Sequence, residues 1–337
     1  MRSSVTKVFD CFFLLRIPLL APVWTILILG WVTGNPHATP GGYLTGDGGL
    51  AGQIGLWAAL CSFSLTVGAI YVVNQIADIE SDRINRKLFL LPYGLVSVRT
   101  AWVLAVVCSV LGMAGAMLFD VTMVVLYGAS LLLGILYDLP PARLKDRPWG
   151  GTLACFLGHG TLTYLVGWYA AAHSALPEAL SQEPWRVNLS LLADGAVQSV
   201  CAGFANAAVF VTTTIPDAPG DKAIGKRTFA VAYGEKPTAV AAFLFCLCAL
   251  VSALWLEYNR LVMVVPTAVS LLFFGYLVVA TDRTNAFKAF KWPVFLLSAL
   301  VAVYIPVYVA LILVTFFGSR LYYRKRLGID YPTFRPH

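Results

Sequence analysis

Long apolar runs, interrupted by short charged stretches, set the pattern of this chain. Leu131–Leu136 follows Val121–Ser130 almost without a break, and Val294–Phe317 carries no charge. A bilayer core of about 30 Å needs about 20 apolar residues per helix. Windows of that length predict nine membrane-spanning helices, near 12–33, 52–77, 99–119, 121–138, 150–172, 191–215, 237–256, 262–281 and 294–317. Asp120 alone separates the third from the fourth. The first is too long for a signal-peptide core and no small-residue cleavage site follows it, so it reads as a retained helix.

Composition agrees. Hydrophobic residues make up 59% of the 337 and charged residues 12%, with a mean hydropathy of +0.76. A soluble domain would carry roughly 25% charged residues. The expected fold class is an all-α membrane protein, a multi-pass bundle embedded in membrane lipid. One transmembrane domain covers 1–317 and a basic tail covers 318–337. The seven cysteines all lie in apolar stretches without zinc or redox spacing. In such a protein a net charge of +7 reflects orientation rather than a nucleic-acid partner.

The charges are unevenly placed. The N-terminus through Arg16 and the loops joining helices 2–3, 4–5, 6–7 and 8–9 hold 17 of the 24 Lys and Arg residues. The alternate loops hold two, Arg186 and Arg260. The positive-inside rule puts the N-terminus and the charged loops in the cytoplasm, as in a multi-pass protein of the cell membrane. An odd number of helices would place the basic tail, with Arg320, Arg324, Lys325, Arg326 and Arg335, on the outside, so either one span is miscounted or the tail is an exception to the rule. The segments 34–50 and 173–190 read as ordinary connectors on that outer side.

Two charged loops share a signature. The first runs Asn74-Gln-Ile-Ala-Asp78-Ile-Glu-Ser-Asp82, then Arg83, Arg86 and Lys87. The second runs Asp217-Ala-Pro-Gly-Asp221-Lys222, then Lys226, Arg227 and Thr228. Residues four apart share a helix face, so Asn74, Asp78 and Asp82 form one polar stripe. Pro216 and Pro219 predict that the second motif is partly unwound. A hard cation such as Mg²⁺ takes oxygen ligands, commonly one or two carboxylates plus substrate phosphates. Lysines and arginines contact the same phosphate oxygens. Two carboxylate pairs with basic neighbours therefore suit a metal–diphosphate complex; solvated helix ends with compensating charges are the alternative. A third loop on the same side, Tyr137-Asp-Leu-Pro-Pro-Ala-Arg143-Leu-Lys145, ends its helix at the paired prolines and projects Arg143 and Lys145. Those two residues read equally well as topogenic charges.

In that order, these three segments resemble the UbiA superfamily of intramembrane prenyltransferases. The stretch Tyr137-x-x-Pro140-Pro141-x-x-x-Lys145 is similar to its chlorophyll synthase and homogentisate prenyltransferase branches. The resemblance runs from about Arg16 to Gly234. It implies a nine-transmembrane-helix bundle around a central cavity that opens laterally to lipid. It further implies Mg²⁺-dependent transfer of a prenyl group from a prenyl diphosphate to a lipophilic acceptor, aromatic or isoprenoid. Carried over, Asn74, Asp78, Asp82, Asp217 and Asp221 hold the metal–diphosphate complex. Lys145 and Tyr137 contact the diphosphate, and Arg143, Lys222 and Lys226 assist. Gln75 stands where many members have a further Asp, and Ile215-Pro216 before Asp217 is an unusual helix exit.

Arg16 has two readings, binding of an anionic acceptor group or snorkelling to the interface. His159, inside the fifth helix, reads as a structural histidine or a base. Two other functions share features with this one. A terpene cyclase on the same scaffold would keep both Asp motifs and lack an acceptor. A cation-coupled transporter would place its carboxylates near the midplane on broken helices. An alcohol phosphotransferase would need a denser acidic motif.

Overall fold

The computed structural model describes residues 4–45, 49–84, 90–175 and 187–332. The basic positions Arg86, Lys87, Arg186 and Arg335 lie outside the described residues. Helices account for most of the rest. In chain order they are α1 (Ser4–Leu14), α2 (Ile17–Gly34), α3 (Gly42–Thr45), α4 (Gly49–Ala77), α5 (Ile79–Ile84), α6 (Val98–Ala116), α7 (Val121–Asp138), α8 (Pro148–Cys155) and α9 (Thr163–Ala175). There follow α10 (Leu189–Ala223), α11 (Phe229–Tyr233), α12 (Glu235–Ala253), α13 (Leu261–Val279), α14 (Arg283–Tyr304) and α15 (Val307–Leu327). Among the described residues, eight helices are long and apolar enough to cross a membrane.

Helix ends follow local chemistry. Asp120 caps α7 by accepting from the Thr122 and Met123 amides at 2.8 and 3.1 Å, which explains the sharp turn after α6. Asp282 caps α14 in the same way through the Asn285 amide at 2.8 Å. The fifth crossing is not one regular helix. A π-helical stretch, Phe156–Leu162, sits between α8 and α9 and carries His159. Such π-bulges recur at functional sites.

Three expectations are corrected. The first predicted helix, 12–33, is two helices, because Arg16 adopts a left-handed conformation (φ 56°) between α1 and α2. The ninth, 294–317, is broken at Ile305-Pro306: a residue before proline is pushed out of the helical region, and Ile305 has φ −121° and ψ 78°. The second Asp motif is not unwound. The helix α10 runs through Pro216 and Pro219 to Ala223. Hydroxyls of Thr212, Thr213 and Thr214 bond back to carbonyls three or four residues earlier, at 2.8, 2.7 and 2.6 Å, in the turn before the prolines.

The break at Pro306 changes where the tail goes. At one end of the bundle Asn259 donates to the Val32 and Ala38 carbonyls, Tyr304 donates to Asn259, and Gly41 donates to the Val303 carbonyl. From the break, α15 turns back along α2, with the Tyr308 hydroxyl 2.8 Å from the Ala21 carbonyl in the first half of that helix. It finishes beside α1, where Arg326 pairs with Asp10 at 2.9 and 2.8 Å and Tyr322 donates to Asp10 at 2.6 Å. Phe13 stacks on Tyr322, ring centroids 3.8 Å apart. The basic tail therefore returns to the end of the bundle that holds the N-terminus, the end favoured by its charge rather than by the odd span count. With that return, all the charge-rich segments described share one end.

Helices α2 and α9 touch backbone to backbone. A Cβ at Gly167 would overlap the Leu27 carbonyl, and one at Gly30 would overlap the Tyr164 carbonyl. The main apolar cluster gathers around α2, α4, α7 and α9. A second, built from residues of α10–α14, includes Val211, Phe229, Cys246, Phe274 and Ala289. The ends of α4, α7 and α10 meet at the charge-rich end.

Candidate functional site

The first motif keeps its register across the end of α4. The Asp78 amide bonds to the Asn74 carbonyl at 3.1 Å and the Asp82 amide to the Asp78 carbonyl at 2.8 Å. Asn74, Asp78 and Asp82 thus share a face, as the four-residue spacing predicts. Asp82 is buried and Asp78 half-buried.

The second motif closes on itself. Gly225 takes φ 75°, a conformation that favours glycine, and reverses the chain after α10. The Lys226 amide then bonds back to the Asp221 carbonyl at 2.9 Å, and the Thr228 hydroxyl donates to Asp221 Oδ2 at 2.9 Å. The reversal aims Lys226 across the bundle. Its Nζ lies 3.4 Å from Asp78 Oδ1, joining the second motif to the first.

The third segment supplies the centre. After α7 ends at Asp138, the chain turns through the prolines into a short 3₁₀ turn, Leu144–Asp146. Lys145 is 7% exposed and donates to Asp78 Oδ2 at 2.8 Å and to Asp138 Oδ1 at 3.0 Å. Asn74 Nδ2 donates to the same Asp138 oxygen at 2.6 Å. Arg16 Nη1 donates to Asn74 Oδ1 at 3.3 Å. One connected chain results: Arg16, Asn74, Asp138, Lys145, Asp78, Lys226. Three cations face two carboxylates in it, a balance suited to an anionic ligand.

The remaining candidates sit at varied distances from this chain. Tyr137 lies against Cys155. Arg143, in a left-handed conformation (φ 37°), pairs with Asp146 at 2.9 Å. Lys222 and Asp217 are exposed at the end of α10, while Asp221 is half-buried. Arg16 faces the first motif through its bond to Asn74. His159 faces Tyr71, ring centroids 6.0 Å apart. Two residues escaped the sequence reading. Asp138 is fully buried, and its only signal was a carboxylate next to Tyr137 at the end of an apolar run. Tyr331 packs edge-on against Tyr323, centroids 5.1 Å apart. Burial pushes its phenol up while the nearby Arg16 guanidinium pulls it down.

Among the described residues, no three His, Cys, Asp or Glu side chains gather at one point. Lys226 links the second aspartate pair to the first. The donors nonetheless fit a hard cation with a diphosphate. Every candidate ligand offers oxygen, one Asp138 oxygen is buried without a hydrogen-bond partner, and the lysines around Asp78 can equally serve phosphate oxygens. Deeper in the bundle, a cavity of about 60 Å³ lies between α2, α10, α12, α13 and α14, lined in part by Pro22, Asn206, Val209, Met263 and Leu297.

Known proteins resemble this chain in sequence and in fold. A 2-acylphloroglucinol 4-prenyltransferase of Humulus lupulus is 29% identical over 190 residues, 54% of this chain and 41% of its own. A probable homogentisate phytyltransferase 2 of Oryza sativa subsp. japonica is 30% identical over 187 residues, 55% of this chain and 45% of its own. The chain thus spans less than half the length of these curated relatives. A UbiA homolog from Archaeoglobus fulgidus, solved with DMAPP and Mg²⁺, has the same fold, with a TM-score of 0.61 at 17% identity over 90% of this chain and 99% of that one. An apo UbiA homolog from Aeropyrum pernix K1 gives 0.64 at 18% identity, over 87% and 98%. The UbiA prenyltransferase family model matches residues 35–300, most of the chain and all three motif segments, and the protein belongs to that family.

Proposed function

We propose that this protein transfers a prenyl group from a prenyl diphosphate to a lipophilic, electron-rich acceptor within the membrane. The observation that carries this reading is the joining of all three motifs at one point: Lys226 and Lys145 both bond Asp78. Cations and carboxylates interleaved in this way, at the end of an apolar bundle, match a substrate with a charged head and a hydrocarbon tail. Family membership and the prenyltransferase activities of the relatives point the same way.

Asn74, Asp78, Asp82, Asp217 and Asp221 would hold Mg²⁺, which neutralises charge on the leaving diphosphate when bound. Lys145 and Lys226 bind diphosphate oxygens, with Arg143 and Lys222 at the rim and Tyr137 behind. Arg16, beside Asn74, binds an anionic group of either substrate. The allylic C–O bond breaks with its electron pair going to diphosphate. The acceptor then attacks the allylic cation and loses a proton. Fixed cations aimed at developing charge are usually the largest catalytic contribution. The charge-rich end faces the cytoplasm in this reading, following the distribution of Lys and Arg.

The test is turnover by purified protein in nanodiscs with Mg²⁺, C5 to C20 prenyl diphosphates and aromatic or isoprenoid acceptors, followed by mass spectrometry. A prenylated acceptor is expected. Diphosphate release with a hydrocarbon product and no acceptor would identify a cyclase. Absence of diphosphate release under all conditions would overturn both readings.

A further inference from the structure

We infer that Asp138 is a positioning residue for the site, holding the Lys145 ammonium and the Asn74 amide where substrate and cation need them; this rests on the function proposed above. Asp138 closes α7 and is 0% exposed, yet it is not packed as a neutral cap. Its Oδ1 accepts from both Lys145 (3.0 Å) and Asn74 (2.6 Å), while its Oδ2 is buried without a hydrogen-bond partner. A polar group serving only the fold would normally have both oxygens satisfied.

Two consequences follow from this geometry. Lys145 divides its charge between Asp78 and Asp138. If a divalent cation engages Asp78, that carboxylate's charge is taken up and the cation repels the nearby ammonium. Asp138 is then the counter-ion that keeps Lys145 beside the diphosphate. Without it, Lys145 has Asp78 as its one carboxylate partner in this network and competes with the cation for it. The second consequence concerns Asn74. A carboxylate only accepts, so the Asn74 atom facing Asp138 is the amide nitrogen. The carbonyl oxygen is turned to the other side, where it accepts from Arg16 at 3.3 Å and offers the kind of ligand a hard cation takes.

The full-length protein in nanodiscs provides the test, with Mn²⁺ binding read by electron paramagnetic resonance and no substrate present. Asp138→Asn keeps the shape and an acceptor oxygen but removes the charge. It should weaken Mn²⁺ binding at least tenfold, about the effect of losing one charge-assisted hydrogen bond. Adding Lys145→Met should restore Mn²⁺ binding by freeing Asp78, while affinity for inorganic diphosphate falls at least tenfold. A merely structural Asp138 would lose Mn²⁺ binding through misfolding, and Lys145→Met would not restore it. Wild-type Mn²⁺ affinity in Asp138→Asn overturns the inference and leaves the proposed function standing. A wild-type protein that binds no Mn²⁺, even with diphosphate, overturns both. If Asp138→Asn does not fold, the double variant, which buries no lone charge, decides through Mn²⁺: wild-type Mn²⁺ affinity supports the inference, and Mn²⁺ binding weakened tenfold in the folded double variant defeats it.

Discussion

Removing Arg326 should loosen the end of the bundle that carries the site. Asp10 is 0% exposed and takes two bonds from Arg326 and one from Tyr322. Arg326→Ala leaves that carboxylate buried with the tyrosine as its remaining partner in this trio. Two charge-assisted bonds are worth about 1.5–3 kcal/mol each at best. The Arg326 side chain is 22% exposed, so solvent screens part of this. We expect a loss of about 2–4 kcal/mol, near the range for a buried pair deprived of one partner. Asp10→Leu with Arg326→Leu should cost much less, since no charge is then stranded. Unfolding in mixed micelles by SDS titration measures both variants. The same contact fixes sidedness: cysteines at Lys7 and Leu327, on a background without native cysteines, should be labelled from the same side. A shift below about 0.5 kcal/mol for Arg326→Ala, the ordinary scatter of surface substitutions, with labelling from opposite sides, would refute the return of α15.

Other outcomes can be checked with standard variants. Lys145→Ala should weaken prenyl diphosphate binding by about ten- to 150-fold, the equivalent of 1.5–3 kcal/mol, and Lys145→Arg should recover part of it; unchanged kinetic constants at saturating Mg²⁺ would remove Lys145 from the diphosphate site. Asp78→Ala and Asp217→Ala should each abolish most turnover and raise the Mg²⁺ requirement, in protein whose thermal unfolding shows it folded; near-normal rates in both would return the motifs to solvated helix ends. Val209→Trp should fill the cavity between α2, α10 and α13 and shift preference to shorter prenyl diphosphates. Equal chain-length profiles for variant and wild type would place the prenyl tail elsewhere. His37→Cys, exposed at the end away from the site, should be labelled from outside intact cells.

Hydropathy read most of this fold because lipid leaves little choice: each crossing must be a run of apolar residues about one bilayer long. It failed where the backbone, rather than the side chain, decides. The left-handed Arg16 and the break before Pro306 lie inside apolar runs that give no hydropathy signal. Pro216 and Pro219 misled in the opposite direction, since α10 runs through both of them to Ala223. In the site, the repeated aspartates stood out by spacing within one loop. Their connection through Lys226 depends on the reversal at Gly225 and spans 148 positions. Asp138 was invisible for a related reason. A single carboxylate at a helix end looks like a boundary, and its meaning comes from Asn74 arriving from α4 and from Lys145 folding back onto it after the proline turn.

The glycine contact between α2 and α9 has a mechanical consequence. Where two backbones touch, there is no cushion of side chains to rearrange, so that seam acts as a fixed post. If a long isoprenoid tail passes into the bundle, as the proposed function requires, widening has to occur at interfaces filled by flexible side chains, such as the Met263 and Leu297 surfaces of α13 and α14. Arg16 sits at the head of α2 and rides on the post. The anion-binding edge of the site would then stay still while the wall across from it yields, and a substrate's charged head could be held in register whatever the length of the chain behind it.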